Sequence, residues 1–196
     1  MLLTPWLRLF TARLSYVRRF RPRGTTRHSQ PLAYERLEER TLLSAPNPLE
    51  LSALNGSNGF VIPGVDSSDM SGYSVSGAGD FNGDGFDDFI IGAPDANPGT
   101  DPFAGESYLI FGKASGFPTT FLIGDLDGTN GFLIPGIDNY DGSGRAVSGA
   151  GDVNGDGFDD LIIGASRATN DTGEVYVLFG QAGPFSSGFD LSAMDG

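Results

Sequence analysis

After residue 49 the chain alternates short apolar runs with clusters of Gly, Asp, Asn and Ser. Runs such as Phe89-Ile90-Ile91 and Leu161-Ile162-Ile163 are short and bounded by Gly or Asp, which predicts buried strands rather than helices. GYSVSGAG (72–79), DFIIGA (88–93) and SYLIF (107–111), with a fourth around FLI (121–123), read as the strands of one unit. GFVIPG (59–64) and GFLIPG (131–136) read as outer-strand pieces near unit boundaries. No helical period follows residue 45. Just before it, ERLEERTLLSA (35–45) predicts a short helix, which the residues around Pro46 and Pro48 would end.

The same pattern returns at a fixed spacing. GAGDFNGDGFDDFIIGA at 77–93 recurs as GAGDVNGDGFDDLIIGA at 149–165, an offset of 72 residues, with changes only at Phe81/Val153 and Phe89/Leu161. LSALNGSNGFVIPG at 51–64 aligns with IGDLDGTNGFLIPG at 123–136, and SYLIFG at 107–112 with VYVLFG at 175–180. LSAMDG at 191–196 opens the unit again. The units run from about 51 to 122 and from 123 to 190, and a third begins at 191. Four short strands per repeated unit is the signature of propeller blades. The predicted fold is therefore all-β: a partial β-propeller of two four-stranded blades plus the start of a third. It spans residues 49–196, behind a basic targeting or linker segment at 1–48.

Composition sharpens that division. Residues 1–40 carry nine Arg and three Glu, whereas residues 41–196 carry three basic and 22 acidic side chains, within an overall net charge of −13. An acidic domain repels nucleic acid and recruits cations. Residues 1–30 are Arg-rich, free of acids and interleaved with apolar residues such as Leu3, Trp6, Phe10 and Val17, which suits a targeting segment or a membrane-surface helix. Arg8 and Arg13 interrupt what would be a signal-peptide apolar region. No run approaches about 18 consecutive apolar residues, so no transmembrane helix is expected. There is no cysteine, and the single histidine, His28, lies in the basic segment. Thiolate or His/Cys zinc chemistry and a Ser/His/Asp triad within the acidic region are thereby excluded.

The acids concentrate in two loops between predicted strands. Asp80, Asn82 and Asp84 stand at positions 1, 3 and 5 of the first, the Phe86 carbonyl at 7 and Asp88 at 9. The second repeats this with Asp152, Asn154, Asp156, the Phe158 carbonyl and Asp160. Calcium takes six to eight oxygens, and alternate residues of a curled loop can point inward together. Gly85 and Gly157 at position 6 permit the sharp turn. Two such loops predict two Ca²⁺ sites. Asp87 and Asp159 read as solvated groups or backbone caps. An EF-hand would need flanking helices and a Glu at position 12, where this chain has Ile91 and Ile163. A dockerin would place two helical copies at far shorter spacing.

Residues 72–112 and 144–180 resemble FG-GAP repeats, the blades of the integrin α-chain propeller and of many bacterial extracellular proteins. The match lies in the glycine-flanked strand, the GDxNGDGxxD loop, the apolar strand ending in Gly92-Ala93-Pro94 or Gly164-Ala165-Ser166, and the Tyr-containing strand ending in Phe111-Gly112 or Phe179-Gly180. The resemblance, over roughly residues 51–196, implies a calcium-stabilised propeller used in adhesion or in recognition of a protein or glycan, secreted or at the cell surface. Leu37, Glu38, Arg40, Leu42 and Leu43 resemble the LEPR-XLL motif of large bacterial surface proteins, with Glu39 where that motif has proline; this implies export. Two blades do not close a ring, so self-association through open blade edges, or membership of a larger propeller, is expected. Two other readings remain: a structural matrix protein without a discrete ligand, and the non-catalytic propeller portion of a hydrolase. No catalytic residue is expected, because the paired acids Asp87/Asp88 and Asp159/Asp160 are adjacent in sequence and point apart at a strand entry. The sequons at 55–57 (NGS) and 170–172 (NDT) fall in Gly/Asn-rich loops.

Overall fold

The computed structural model describes residues 50–191. The Arg-rich segment, the helix predicted at 35–45 with its LEPR-XLL-like motif, and all of the third unit except Leu191 lie outside the described residues. Seven strands form two antiparallel sheets. The first holds β1 (Ser74–Gly79), β2 (Asp88–Ala93), β3 (Glu106–Ile110) and β4 (Gly131–Pro135), in that order. The second holds β5 (Ser143–Gly151), β6 (Asp160–Ala165) and β7 (Glu174–Leu178). The chain is thus all-β, with two successive blades of a partial propeller.

The first three strands of each sheet fall where the apolar runs predict them. The fourth does not. Residues 121–123 do not pair in the sheet; Ile123–Asp125 form a single 3₁₀ turn, and β4 takes the fourth place instead, with Tyr108 opposite Leu133 and Leu109 opposite Phe132. The reason is packing. Phe121 and Ile123 are needed in a cluster behind the sheet with Ile91, Tyr108 and Ile110. GFLIP supplies a pleated segment whose Phe132 and Ile134 are both buried. A blade therefore begins in one sequence unit and is completed by the opening of the next.

The central strands β2 and β3 of sheet one are buried on both faces, which explains the uninterrupted apolar run Phe89-Ile90-Ile91. Ile90, Leu109 and Phe132 face the second sheet and pack in one core with Leu161, Ile163 and Leu178. Phe81, Phe111 and Phe185 close this core through tilted ring contacts at 5.3–6.0 Å between centroids. On the opposite face Phe60 stacks on Phe117 at 4.3 Å. Each fully buried Phe, Ile or Leu contributes about 1.5–3 kcal/mol. Close approach of the two sheets depends on absent side chains: a Cβ on Gly92 would lie 2.0 Å from the Gly144 carbonyl oxygen.

Ala168–Asp171 carries a helical hydrogen bond, but Thr169 and Asn170 have φ of 52° and 57°, so the segment is a tight turn. Among the described residues no helix is long and apolar enough to cross a membrane.

Candidate metal centres

Each DxNxDGxxD loop joins the first and second strands of its sheet, so both β1→β2 and β5→β6 are connected by one. A register shift interrupts both ladders beside the loop, between Gly77 and Gly79 and between Gly149 and Gly151. These bulges turn the strands into the loops.

Inside the first loop the backbone N–H of Asp84 donates both to Asp80 Oδ1 at 2.9 Å and to Asn82 Oδ1 at 2.8 Å. One shared donor draws the oxygens of positions 1 and 3 to the same side of the loop. Asp80 Oδ2 accepts the Gly85 N–H at 2.9 Å, which pins the carboxylate across the turn. Asp84 Oδ1 accepts the Phe86 N–H, and Asn82 Nδ2 donates to Asp84 Oδ2. The second loop is built alike. The Asp156 N–H is shared by Asp152 Oδ1 at 3.1 Å and Asn154 Oδ1 at 3.0 Å, and Gly157 N–H meets Asp152 Oδ2 at 2.9 Å. Asp156 Oδ1 accepts the Phe158 N–H. No protein hydrogen bond to the carbonyl oxygens of Phe86 and Phe158 is found among the described residues.

The ninth-position carboxylates differ from the rest. Asp88 is 2% exposed and Asp160 fully buried. Asp88 Oδ2 accepts the Phe81 N–H at 3.1 Å and Oδ1 the Gly112 N–H at 2.8 Å. Asp160 does the same with Val153 at 2.7 Å and Gly180 at 2.9 Å. Each therefore ties the loop to the glycine that follows the third strand of its sheet, a role the sequence spacing does not reveal. Burial pushes the Asp88 carboxyl up to about 7; its two accepted N–H bonds oppose this, and the charges of Asp84 and Asp80 add to the rise.

Among the described residues no three acidic or histidine side chains already converge into a cage. The donor set nonetheless fits a hard cation. It is all oxygen, with positions 1 and 3 gathered by a common N–H. The bonded carboxylate oxygens of the first loop each keep a lone pair, whereas in the second loop Asp152 Oδ1 accepts both the Gly155 and the Asp156 N–H and Oδ2 keeps one free.

The acids at position 8 separate by blade. Asp159 Oδ2 accepts the Asp80 N–H at 2.9 Å, joining the second loop to the first. Asp87 is exposed. Phe158 also lies over the first loop, where a Cβ on Gly83 (φ 74°) would come within 2.3 Å of its ring.

A family model described as FG-GAP repeat matches residues 71–110 and 143–178. The chain is similar to integrin alpha-5 of Xenopus laevis, with 34% identity over 122 residues covering 59% of this chain and 10% of that protein. Integrin alpha-PS2 of Drosophila melanogaster matches at 34% over 131 residues, 64% of this chain and 9% of that one. Phosphatidylinositol-glycan-specific phospholipase D of Bos taurus matches at 36% over 113 residues, 56% and 13% respectively. The chain thus spans about a tenth of the length of these relatives.

Proposed function

We propose that this chain, which carries two FG-GAP repeats, is a calcium-stabilised, non-catalytic recognition module that acts outside the cell or at its surface and binds a protein or glycan ligand. Calcium would be held by Asp80, Asn82, Asp84, the Phe86 carbonyl and Asp88, and by Asp152, Asn154, Asp156, the Phe158 carbonyl and Asp160. The observation that carries the reading is the shared N–H of Asp84, and of Asp156, which aligns the oxygens of positions 1 and 3 in both loops. Three carboxylates per loop repel one another unless a cation neutralises them. Bound calcium would then stiffen the turn on which Asp159 and Phe158 lean, and so the contact between blades. The similarity to two proteins named integrin alpha supports a part in adhesion.

Calorimetric titration of the full chain with calcium tests this. Two sites are expected, with Kd on the order of 10⁻⁴–10⁻³ M as for extracellular modules. Asp84→Ala and Asp156→Ala should each remove one. An absence of heat in the wild type refutes the metal reading. Glycan-array and cell-binding assays separate an adhesin from a matrix protein that binds calcium alone.

A further inference from the structure

Residues 59–72 and the outer edge of β7 are two halves of the same kind of interface. In the first sheet β3 (ESYLI) is completed by β4 (GFLIP). In the second, β7 (EVYVL) matches β3 in sequence, yet among the described residues nothing pairs with its outer edge, and Val175 is 67% exposed. The counterpart of β4 is GFVIP at residues 59–63. It has no neighbouring strand among the described residues, but it is already held straight. Val61 donates to the Thr119 carbonyl at 3.0 Å and accepts the Phe121 N–H at 2.9 Å. Leu133 of β4 is clipped identically, to Ser187 at 3.0 Å and from Phe189 at 2.7 Å. In β4 that clip leaves Phe132 and Ile134 to pair with β3, since ladder bonds alternate sides along a strand. Phe60 and Ile62 are left in the same position.

A second pair of surfaces obeys the same offset. Gly142–Gly144 cover the end of the first blade: the Ser143 N–H donates to the Ala104 carbonyl at 2.9 Å, and Ser74 Oγ donates to the Gly144 carbonyl at 2.7 Å. The corresponding place on the second blade is an open cleft of about 490 Å³ lined by Arg145, Gly164, Gly173, Glu174 and Val175. The counterpart of 142–144 is Met70-Ser71-Gly72, and its loop already has the covering shape. Met70 has φ 58° where Gly142 has 62°, and Ser68 has 79° where Tyr140 has 72°. Asp69 accepts the Asp66 N–H at 3.2 Å, as Asp141 does that of Asp138. A methionine in left-handed backbone, and 53% exposed, is costly unless its neighbours hold it.

We propose that the chain assembles head to tail with a second copy of itself. Residues 59–63 of one copy add to β7 of the other as its fourth strand, while Met70–Gly72 enter the cleft beside Glu174. The register follows β3–β4: Pro63 opposite Glu174, Val61 opposite Tyr176, Gly59 opposite Leu178. The contact is heterologous, so repetition gives a closed ring or a filament. It does not depend on the cation loops.

The chain has no cysteine, which makes the test direct. Full-length Val61→Cys and Tyr176→Cys chains, mixed and mildly oxidised, should form a disulfide-linked heterodimer, because facing strand residues lie within bonding reach. Val61→Cys mixed with Val175→Cys, whose side chain points to the other sheet face, should not. Sedimentation of the wild type should show a mass that rises with concentration. Val175→Pro, which removes an outward N–H and spares the β6 ladder, should remain monomeric with an unchanged circular dichroism spectrum. A wild type that is monomeric throughout, or equal cross-linking from both cysteine pairs, overturns the proposal.

Discussion

The carboxylate of Asp159 accepts the backbone N–H of Asp80 across the blade boundary at 2.9 Å, while the Asp159 N–H itself donates to the Asp80 carbonyl at 3.2 Å. Two residues 79 positions apart thus close a reciprocal pair between the two acidic loops. Its counterpart in the first repeat, Asp87, is exposed. Asp159→Ala leaves a partly buried N–H without its acceptor and should cost about 1–2 kcal/mol in urea denaturation. Asp87→Ala should change stability by no more than about 0.5 kcal/mol.

Phe81 and Val153 occupy the same loop position in the two repeats. Phe81 is 2% exposed because the second blade and Phe185 cover it, whereas Val153 is 56% exposed. Phe81→Ala should destabilise by about 3–5 kcal/mol, and Val153→Ala should be nearly silent. Equal effects in thermal melts would mean that the blades do not pack as described.

Asp88 and Asp160 each serve two backbone donors, and asparagine offers only one acceptor oxygen. Asp88→Asn and Asp160→Asn should each lower stability by about 2 kcal/mol even in chelator, since a buried N–H is left facing an amide NH₂. An unperturbed melt of either variant in chelator would remove the structural role assigned to these carboxylates.

A pH dependence follows from Asp88. Its carboxyl is raised by burial from 3.8 to about 7, so without a cation the native chain holds a proton that the unfolded chain has released. That contribution to stability is fully present below the unfolded value of 3.8 and is lost as pH rises through about 7. Cation binding needs the carboxylate and runs the other way, strengthening over the same window. Melting temperature in chelator should therefore fall between pH of about 4 and 7, while the increment given by calcium grows. Asp88→Asn should flatten the first trend.

Much of this architecture is legible in local sequence. β1 to β3 and the two loops announce themselves through apolar runs, Gly/Asp punctuation and the 72-residue offset. GFLIPG is an outer strand, as its pattern predicts, but the local sequence places the fourth strand around 121–123, because a strand that completes a sheet after a 20-residue excursion leaves no local mark of its partner. The distinct fates of Asp87 and Asp159, or of Phe81 and Val153, are invisible for the same reason. Identical sequence contexts diverge only when a neighbouring blade covers one of them. The inward clamp made by Asp88 depends on Gly112, 24 residues away, and spacing within the loop cannot show it.

Calcium-dependent thermal unfolding of the full chain bears most directly on the loops as cation sites. With free calcium about tenfold above Kd, each site should stabilise the native state by about 1.4 kcal/mol, raising the melting temperature over that in chelator. Asp84→Ala and Asp156→Ala should each lose part of the increment, and the double variant all of it. A wild type that melts at the same temperature in calcium and in chelator would contradict the account.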